Sequence, residues 1–531
     1  MSHEAPIFGF NAAKPAIVSE VIRRVCEQTR DPLHALNEAA YLESRRLRPD
    51  DPEREGWQRL AGRLGRMSQD ELRAALREHV ERYAWDVAGN FDPRVYTFAS
   101  RAMAPILGTL LSPRSALRNA PKLRSLAALD DRIVVEGPAA HLRKLAEKGT
   151  LVFVPTHLSN LDSVVFGFAL ERSELPPATY GAGKNLFTNP VLSFFMHNLG
   201  AYRVDRRLRH ALYKDVLKAY SCVLIERGYH SLFFPGGTRS RSGAVERKLK
   251  LGLAGTALEA FARTAQMGRP QNVYFVPSTI NYLLTLEAES LIDDYLQEEG
   301  KARYLIESDD DESTRVGRVA AFAQKLLGLD ASVVIRFGKP LDCFGNEVDE
   351  EGRSHDARGR LVDPLTYILD RNDRPTVDPA RDAQYTRELG EAICDAYKRD
   401  TVVMSTHLVA TCAFSRLRQI VGKADVFAIL NHKGHVVVPR SELTADVGRL
   451  RDRARELVAR GELRLGAVVE SDTPEGILNR ALRAFAGYHT QEVLGARGRD
   501  LVLTDTRLLF YYQNRLAAHG LAFDAVAPRR P

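Results

Sequence analysis

A chain of 531 residues is longer than one hydrophobic core ordinarily organises, so two or three structural units are expected. Hydrophobic residues at 44% and charged residues at 27% exclude a disordered or low-complexity chain. A net charge of +7 points to an anionic partner: a phosphorylated substrate, an acidic membrane surface or nucleic acid. The five cysteines, Cys26, Cys222, Cys343, Cys394 and Cys412, are scattered and include no CxxC pair. That excludes a disulfide framework or zinc ribbon and suggests a reduced, cytosolic protein.

The first residues show no basic segment followed by an apolar core, so no secretory leader is expected. No run reaches the roughly 18 apolar residues of a membrane span, since YTFASRAMAPILGTLL is broken by Arg101 and VVMSTHLVATCAF is too short, so none is expected either. Residues 1–125 read as a helical region. DELRAALREHVERYAWDV at 70–87 has an acidic start and apolar residues at three- and four-residue spacing. The basic run SALRNAPKLRSLAAL at 115–129 fits either a solvated helix face or a membrane-surface helix.

From residue 126 the pattern changes. RIVVEG, TLVFVPT, ATYGAG, SLFFPGG, VYFVPSTI and SVVIRFG are short β-rich runs closed by turn chemistry, with helical stretches between several of them. This alternation predicts an α/β domain over 126–345, a central, mostly parallel sheet with flanking helices. Residues 346–380, rich in Gly, Asp, Arg and Pro, read as a loop or linker. Residues 381–531 return to helical patterning, so helical regions are expected at both ends of the chain.

Four stretches of the α/β segment carry candidate chemistry. In THLSNLD, Ser159 as N-cap and Asp162 at N3 fit a capping box, with His157 an ordinary loop residue. The same residues also fit a catalytic pair: the Asp162 carboxylate takes one imidazole N–H of His157 and leaves the other nitrogen as a general base. In FFPGGTRSRSG, Gly236 and Gly237 permit a tight turn, and Arg239 and Arg241 offer forked donors suited to phosphate. The spacing is not that of a P-loop. NLGAYRVDRRLRH adds Arg206, and VERKLKLGLAG adds Lys248 and Lys250. Each of these basic stretches also fits a solvated surface.

Taken in order, these stretches resemble the four blocks of the glycerolipid acyltransferases. His157 to Asp162 matches H-x-x-x-x-D, GAYRVDR matches the second block and ends at Arg206, FPGGTRSRSG matches the third, and FVPSTINY, around Pro277, the fourth. PPATYGAGKNLF, with Asn185 and Leu186, and INYLLTLEAESLIDDYL, with Glu287, resemble the glycerol-3-phosphate and dihydroxyacetone-phosphate acyltransferase branch. Similarity covers about 130–420. In one departure, Gly236 stands where the third block usually carries a glutamate.

The resemblance implies transfer of a fatty acyl group from acyl-CoA or acyl carrier protein to the sn-1 hydroxyl of glycerol 3-phosphate, giving lysophosphatidate. His157 is then the general base and Asp162 its partner. Arg206, Arg239, Arg241, Lys248 and Lys250 bind phosphate, and Asn185, Gly237, Thr238, Ser240 and Pro277 complete the substrate site. No metal or resident cofactor is expected. The implied setting is peripheral, on the cytoplasmic side of a membrane with anionic phospholipid, and nucleic acid is not expected as a partner. Acylation of lysophosphatidate or dihydroxyacetone phosphate, and a non-catalytic lipid-binding relative, are the alternatives.

Overall fold

The computed structural model describes residues 5–99, 133–184, 190–300, 332–422, 425–432, 436–486, 489 and 492–522. The basic run at 115–129 lies outside them. Four helices open the chain: α1 Phe10–Gln28, α2 Pro32–Arg46, α3 Pro52–Leu64 and α4 Gln69–Val87. Their starts follow from the sequence. Asp31 and Asp51 cap helices that begin on proline, whose missing N–H costs nothing there. Ser68 and Glu71 close a full capping box on α4.

The β-rich runs form β1 Ile133–Glu136, β2 Thr150–Pro155, β3 Thr179–Gly183, β4 Ala201–Val204, β5 Ser231–Leu232, β6 Val273–Tyr282 and β7 Val333–Phe337. They make one sheet in the order β1-β7-β6-β2-β5-β3-β4. Every pairing is parallel except β6 with β7, so β1 and β7 run against the other strands. The expected mostly parallel sheet is therefore present. Strands β2 and β6 are buried along their whole length, as strands covered on both faces must be.

Helices α5 Ala139–Lys148, α6 Asp162–Arg172, α7 Pro190–Asn198, α8 Ala211–Glu226, α9 Ala254–Gln266 and α10 Ala288–Gly300 connect or follow these strands. Helix α8 faces the N-terminal helices through Leu212, Tyr213, Val216 and Tyr220, in one core with Val21, Leu76 and Val80. A buried ion pair between Arg24 and Glu226, at 2.5 Å, fastens α1 to α8.

The stretch 346–380 is more than a loop: β8 Glu347–Val348, β9 Ser354–His355 and β10 Leu361–Val362 form a small antiparallel sheet. Beyond it come α11 Pro379–Asp400, α12 Ser405–Val421, α13 Val426–Leu430, α14 Arg440–Ala459, α15 Ala467–Ser471, α16 Pro474–Phe485 and α17 Thr506–Gln513, the last continued by a 3-10 turn, Asn514–His519. The C-terminal region is helical as expected, but it also holds strands that periodicity missed. β11 Val402–Val403 pairs with β13 Arg464–Leu465, and β12 Val436–Pro439, β14 Leu494–Arg497 and β15 Asp500–Leu503 form an antiparallel sheet. These strands are only two to four residues long, too short to show a period. Helix α12 packs with α17, and their core takes in Leu283, Leu284 and Leu286 at the exit of β6. The C-terminal region thus reaches the C-terminal ends of the sheet strands. Among the described residues no helix is long and apolar enough to cross a membrane.

Candidate active site

Strand β2 ends at Pro155, and the chain leaves the sheet through Thr156, whose N–H donates to Ser278 O and whose Oγ1 accepts from Ile280 N. His157 follows immediately. Its Nδ1 lies 2.7 Å from Asp162 Oδ2. Asp162 is fully buried and is the first residue of α6. The same Oδ2 accepts the backbone N–H of Leu158 at 2.6 Å and of Ser159 at 2.9 Å, while Oδ1 accepts the Tyr282 hydroxyl at 2.7 Å. One carboxylate thus gathers a ring nitrogen, two main-chain donors and a phenol from β6. Burial, then the Asp162 charge, pushes the Tyr282 phenol well above its ordinary pKa, so it remains a donor. The His157 ring stacks on Phe234, with centroids 4.2 Å apart, and its side chain keeps 13% of its area exposed. With Nδ1–H given to Asp162, Nε2 is the ring's proton acceptor.

The capping box expected at Ser159 is not formed. Leu161 is the N-cap of α6, and no side chain caps it. Only one half of the box survives, the Ser159 N–H to Asp162. The Ser159 hydroxyl instead donates to Glu287 Oε2 at 2.8 Å. Glu287, fully buried, also accepts Asn160 N–H at 3.0 Å and pairs with Arg239 Nη1 at 3.2 Å. A buried carboxylate costs heavily unless its oxygens find donors, and the THLSN turn supplies them.

The loop after β5 packs onto this turn. Ser240 N–H donates to His157 O at 2.7 Å, and Gly237 N–H to Phe234 O at 3.0 Å. Gly237 has φ +75°, and a Cβ there would sit 2.4 Å from Lys250 Cδ, so glycine admits both the turn and the crossing lysine stem. The Ser240 hydroxyl donates to Ala244 O, which closes the loop. Thr238, Lys248 and Lys250 are exposed, and Arg241 pairs with Glu298 on α10.

Arg206, in the turn after β4, is exposed as a residue, but its guanidinium is partly enclosed. Burial first, and the positive charge of Arg239 second, hold its pKa below the ordinary value. Arg206 and Arg239 are thus close enough for their charges to interact, and Arg239 pairs with Glu287, which holds Ser159 and Asn160 of the turn that carries His157. Pro277 is buried inside the sheet opposite Val154 rather than at its mouth. Asn185 lies outside the described residues. Tyr282, Phe234, Glu246 and Arg515 were not identified from sequence. Phe234 and Tyr282 lie within the third and fourth blocks, though nothing local shows what they touch; the neighbours of Glu246 and Arg515 lie far away along the chain, and no local spacing marks them. The site stands outside the carboxyl ends of β2, β4 and β5, where open α/β sheets bind ligands.

The acyltransferase family pattern matches residues 134–281, from β1 through most of β6. A glycerol-3-phosphate acyltransferase of Pseudomonas fluorescens (strain Pf-5) is 25% identical over 361 residues, which are 65% of this chain and 39% of that protein. The glycerol-3-phosphate acyltransferase of Pasteurella multocida (strain Pm70) is 31% identical over 206 residues, 38% of this chain and 23% of that protein. The chain thus spans well under half the length of these relatives. A crystal structure of the 1-acyl-sn-glycerophosphate acyltransferase PlsC from Thermotoga maritima aligns at 14% identity with a TM-score of 0.24, covering 56% of this chain and 92% of that one. Residues 134–281, which hold His157 and Asp162, thus form an acyltransferase-family domain, and this part of the chain is similar to glycerol-3-phosphate acyltransferases.

Proposed function

We propose that this protein transfers a fatty acyl group from the thioester of acyl-CoA or acyl carrier protein to the sn-1 hydroxyl of glycerol 3-phosphate, releasing lysophosphatidate and the free thiol. The observation that carries the reading is the His157–Asp162 pair, 2.7 Å apart with the carboxylate fully buried, joined through Glu287 to Arg239, whose charge reaches Arg206. An alcohol is a poor nucleophile at neutral pH. His157 Nε2 takes its proton as the oxygen attacks the thioester carbon, and Asp162 stabilises the imidazolium that forms. The tetrahedral intermediate expels the thiolate, which takes the proton back from His157. General-base help of this kind is worth about 10²–10⁴-fold.

Two guanidiniums held near one another repel, and a phosphate dianion between them turns that cost into binding. Arg206 and Arg239 are the proposed clamp. Holding the phosphate fixes the hydroxyl near His157, and good orientation of reactants saves about 7–11 kcal/mol of barrier. Arg241, engaged by Glu298, has a lesser part. The reaction draws on no resident cofactor, because the thioester already carries the activation. A peripheral position on the cytoplasmic face of a membrane suits a basic protein whose product partitions into lipid.

The test is an acyl-transfer assay with labelled glycerol 3-phosphate, palmitoyl-CoA and palmitoyl-acyl carrier protein, with lysophosphatidate and dihydroxyacetone phosphate as competing acceptors. Wild type is expected to favour glycerol 3-phosphate, and His157→Ala to lose at least about 10²-fold in kcat. Arg206→Ala is expected to raise KM for the acceptor about tenfold or more and leave that for the donor nearly unchanged. Preference for lysophosphatidate, or equal loss toward both substrates in Arg206→Ala, refutes the assignment.

A further inference from the structure

Position 236 lacks the side chain that the third block leads one to expect there, and the space beside it is filled from elsewhere. A Cβ on Gly236 would lie 3.3 Å from Glu246 Cγ and 3.5 Å from Glu246 Oε1. Glu246 therefore brings its carboxylate, from ten residues downstream, to the edge of the space a side chain at 236 would enter. There it accepts the main-chain N–H of His157 through Oε1 at 2.8 Å. Its Oε2 is buried and has no hydrogen-bond partner among the described residues.

The positive charge that balances it comes from the C-terminal segment. Arg515, in the turn after α17, is 2% exposed. Its Nη2 donates to Ile280 O at 3.2 Å and to Asn281 Oδ1 at 3.1 Å, while Nε and Nη1 are buried without partners among the described residues. Burial pushes the Glu246 carboxyl above the ordinary carboxylate range, and the charge of Arg515 is the strongest influence opposing it. Two buried groups that each keep unsatisfied atoms are costly to retain, and such cost is tolerated where it serves a site.

We propose that Glu246 is a positioning residue for His157, its carboxylate doing from position 246 what a side chain at position 236 would otherwise do. Asp162 orients the imidazole; Glu246 fixes the peptide that carries it. The geometry stands on its own, while the catalytic consequence rests on the acyl-transfer reading above. A small displacement of a base in a positioned site costs on the order of 10²-fold in rate.

The experiment compares Glu246→Ala, Glu246→Gln, Gly236→Glu and the double variant Gly236→Glu/Glu246→Gly, each checked for folding by thermal melting. Two readouts are taken: kcat and KM for each substrate, and the His157 ring signal in a 13C-histidine spectrum, identified by its loss in His157→Ala. Glu246→Ala is expected to lose about tenfold or more in kcat with acceptor KM little changed, and to move the His157 signal. Glu246→Gln keeps an acceptor for the His157 N–H and is expected within about threefold of wild type. Gly236→Glu alone places a second carboxylate against Glu246 and is expected to lose activity, which the double variant restores. A folded Glu246→Ala with wild-type kcat and an unmoved ring signal overturns the proposal, as does a double variant no better than Gly236→Glu. If wild type transfers no acyl group to any acceptor, the functional reading fails while the ring signal still decides the placement of Glu246.

Discussion

Asp162→Asn isolates the charge of the proposed catalytic pair from its geometry. Three donors converge on Oδ2: His157 Nδ1 and the N–H groups of Leu158 and Ser159. Two of these are main chain and cannot reverse, so the amide of an asparagine must place its oxygen there. Its NH₂ then faces the Tyr282 hydroxyl, which can accept as well as donate. The hydrogen bonds, the tautomer of His157 and the fold are all retained, and only the negative charge is lost. Two unit charges about 4 Å apart at an effective dielectric near 20 interact by about 4 kcal/mol. That energy is absent when the imidazolium forms in the transition state, so kcat is expected to fall by about three orders of magnitude. The assay is steady-state acyl transfer with both substrates saturating, alongside a thermal melt. A kcat within about tenfold of wild type refutes the reasoning, because the Asp162 charge then plays no part in the rate. A melting temperature lowered by more than about 5 °C refutes the claim that the asparagine is accommodated without rearrangement.

Two further outcomes concern stability. Gly243 has φ +76°, and a Cβ there would sit 2.4 Å from the main-chain oxygen of Tyr511, so Gly243→Ala must push α17 away from the loop after β5. A loss of more than about 2 kcal/mol is expected, with faster proteolytic cleavage of the C-terminal segment; unchanged cleavage contradicts that docking. His230 is buried, its Nδ1 accepts the Leu151 N–H, and burial lowers its pKa from 6.5 to about 4. The folded protein therefore resists protonation that the unfolded chain accepts, so stability is full above pH 6.5 and is lost as pH falls toward 4. By linkage, about 2 kcal/mol of this is gone at pH 5. His230→Gln, which keeps an acceptor for Leu151, is expected to lose correspondingly less between pH 7 and 5 in urea titrations, and an unchanged pH slope contradicts the assignment.

The sequence by itself determined the α/β layout and the His157–Asp162 contact, because both depend on short separations. Strand runs such as TLVFVPT and their turns are local patterns. His157 and Asp162 lie five residues apart, and a single turn beyond β2 suffices to close them into a hydrogen bond. The third-block loop was legible for the same reason, including the glycine at 237 that its positive φ requires. Even here the reading of Ser159 as a helix cap failed, since its hydroxyl found a stronger acceptor, the Glu287 carboxylate, 128 residues away. What only the tertiary structure decided is the shell around that contact. Tyr282 meets Asp162 across 120 residues and Glu246 meets His157 across 89. Arg515 reaches Ile280 across 235, from a C-terminal region that the sequence marks only as helical. Such contacts arise where buried charges and donors must find partners, and that demand is met by whichever strand or helix end packing brings within about 3 Å, so no spacing along the chain records it.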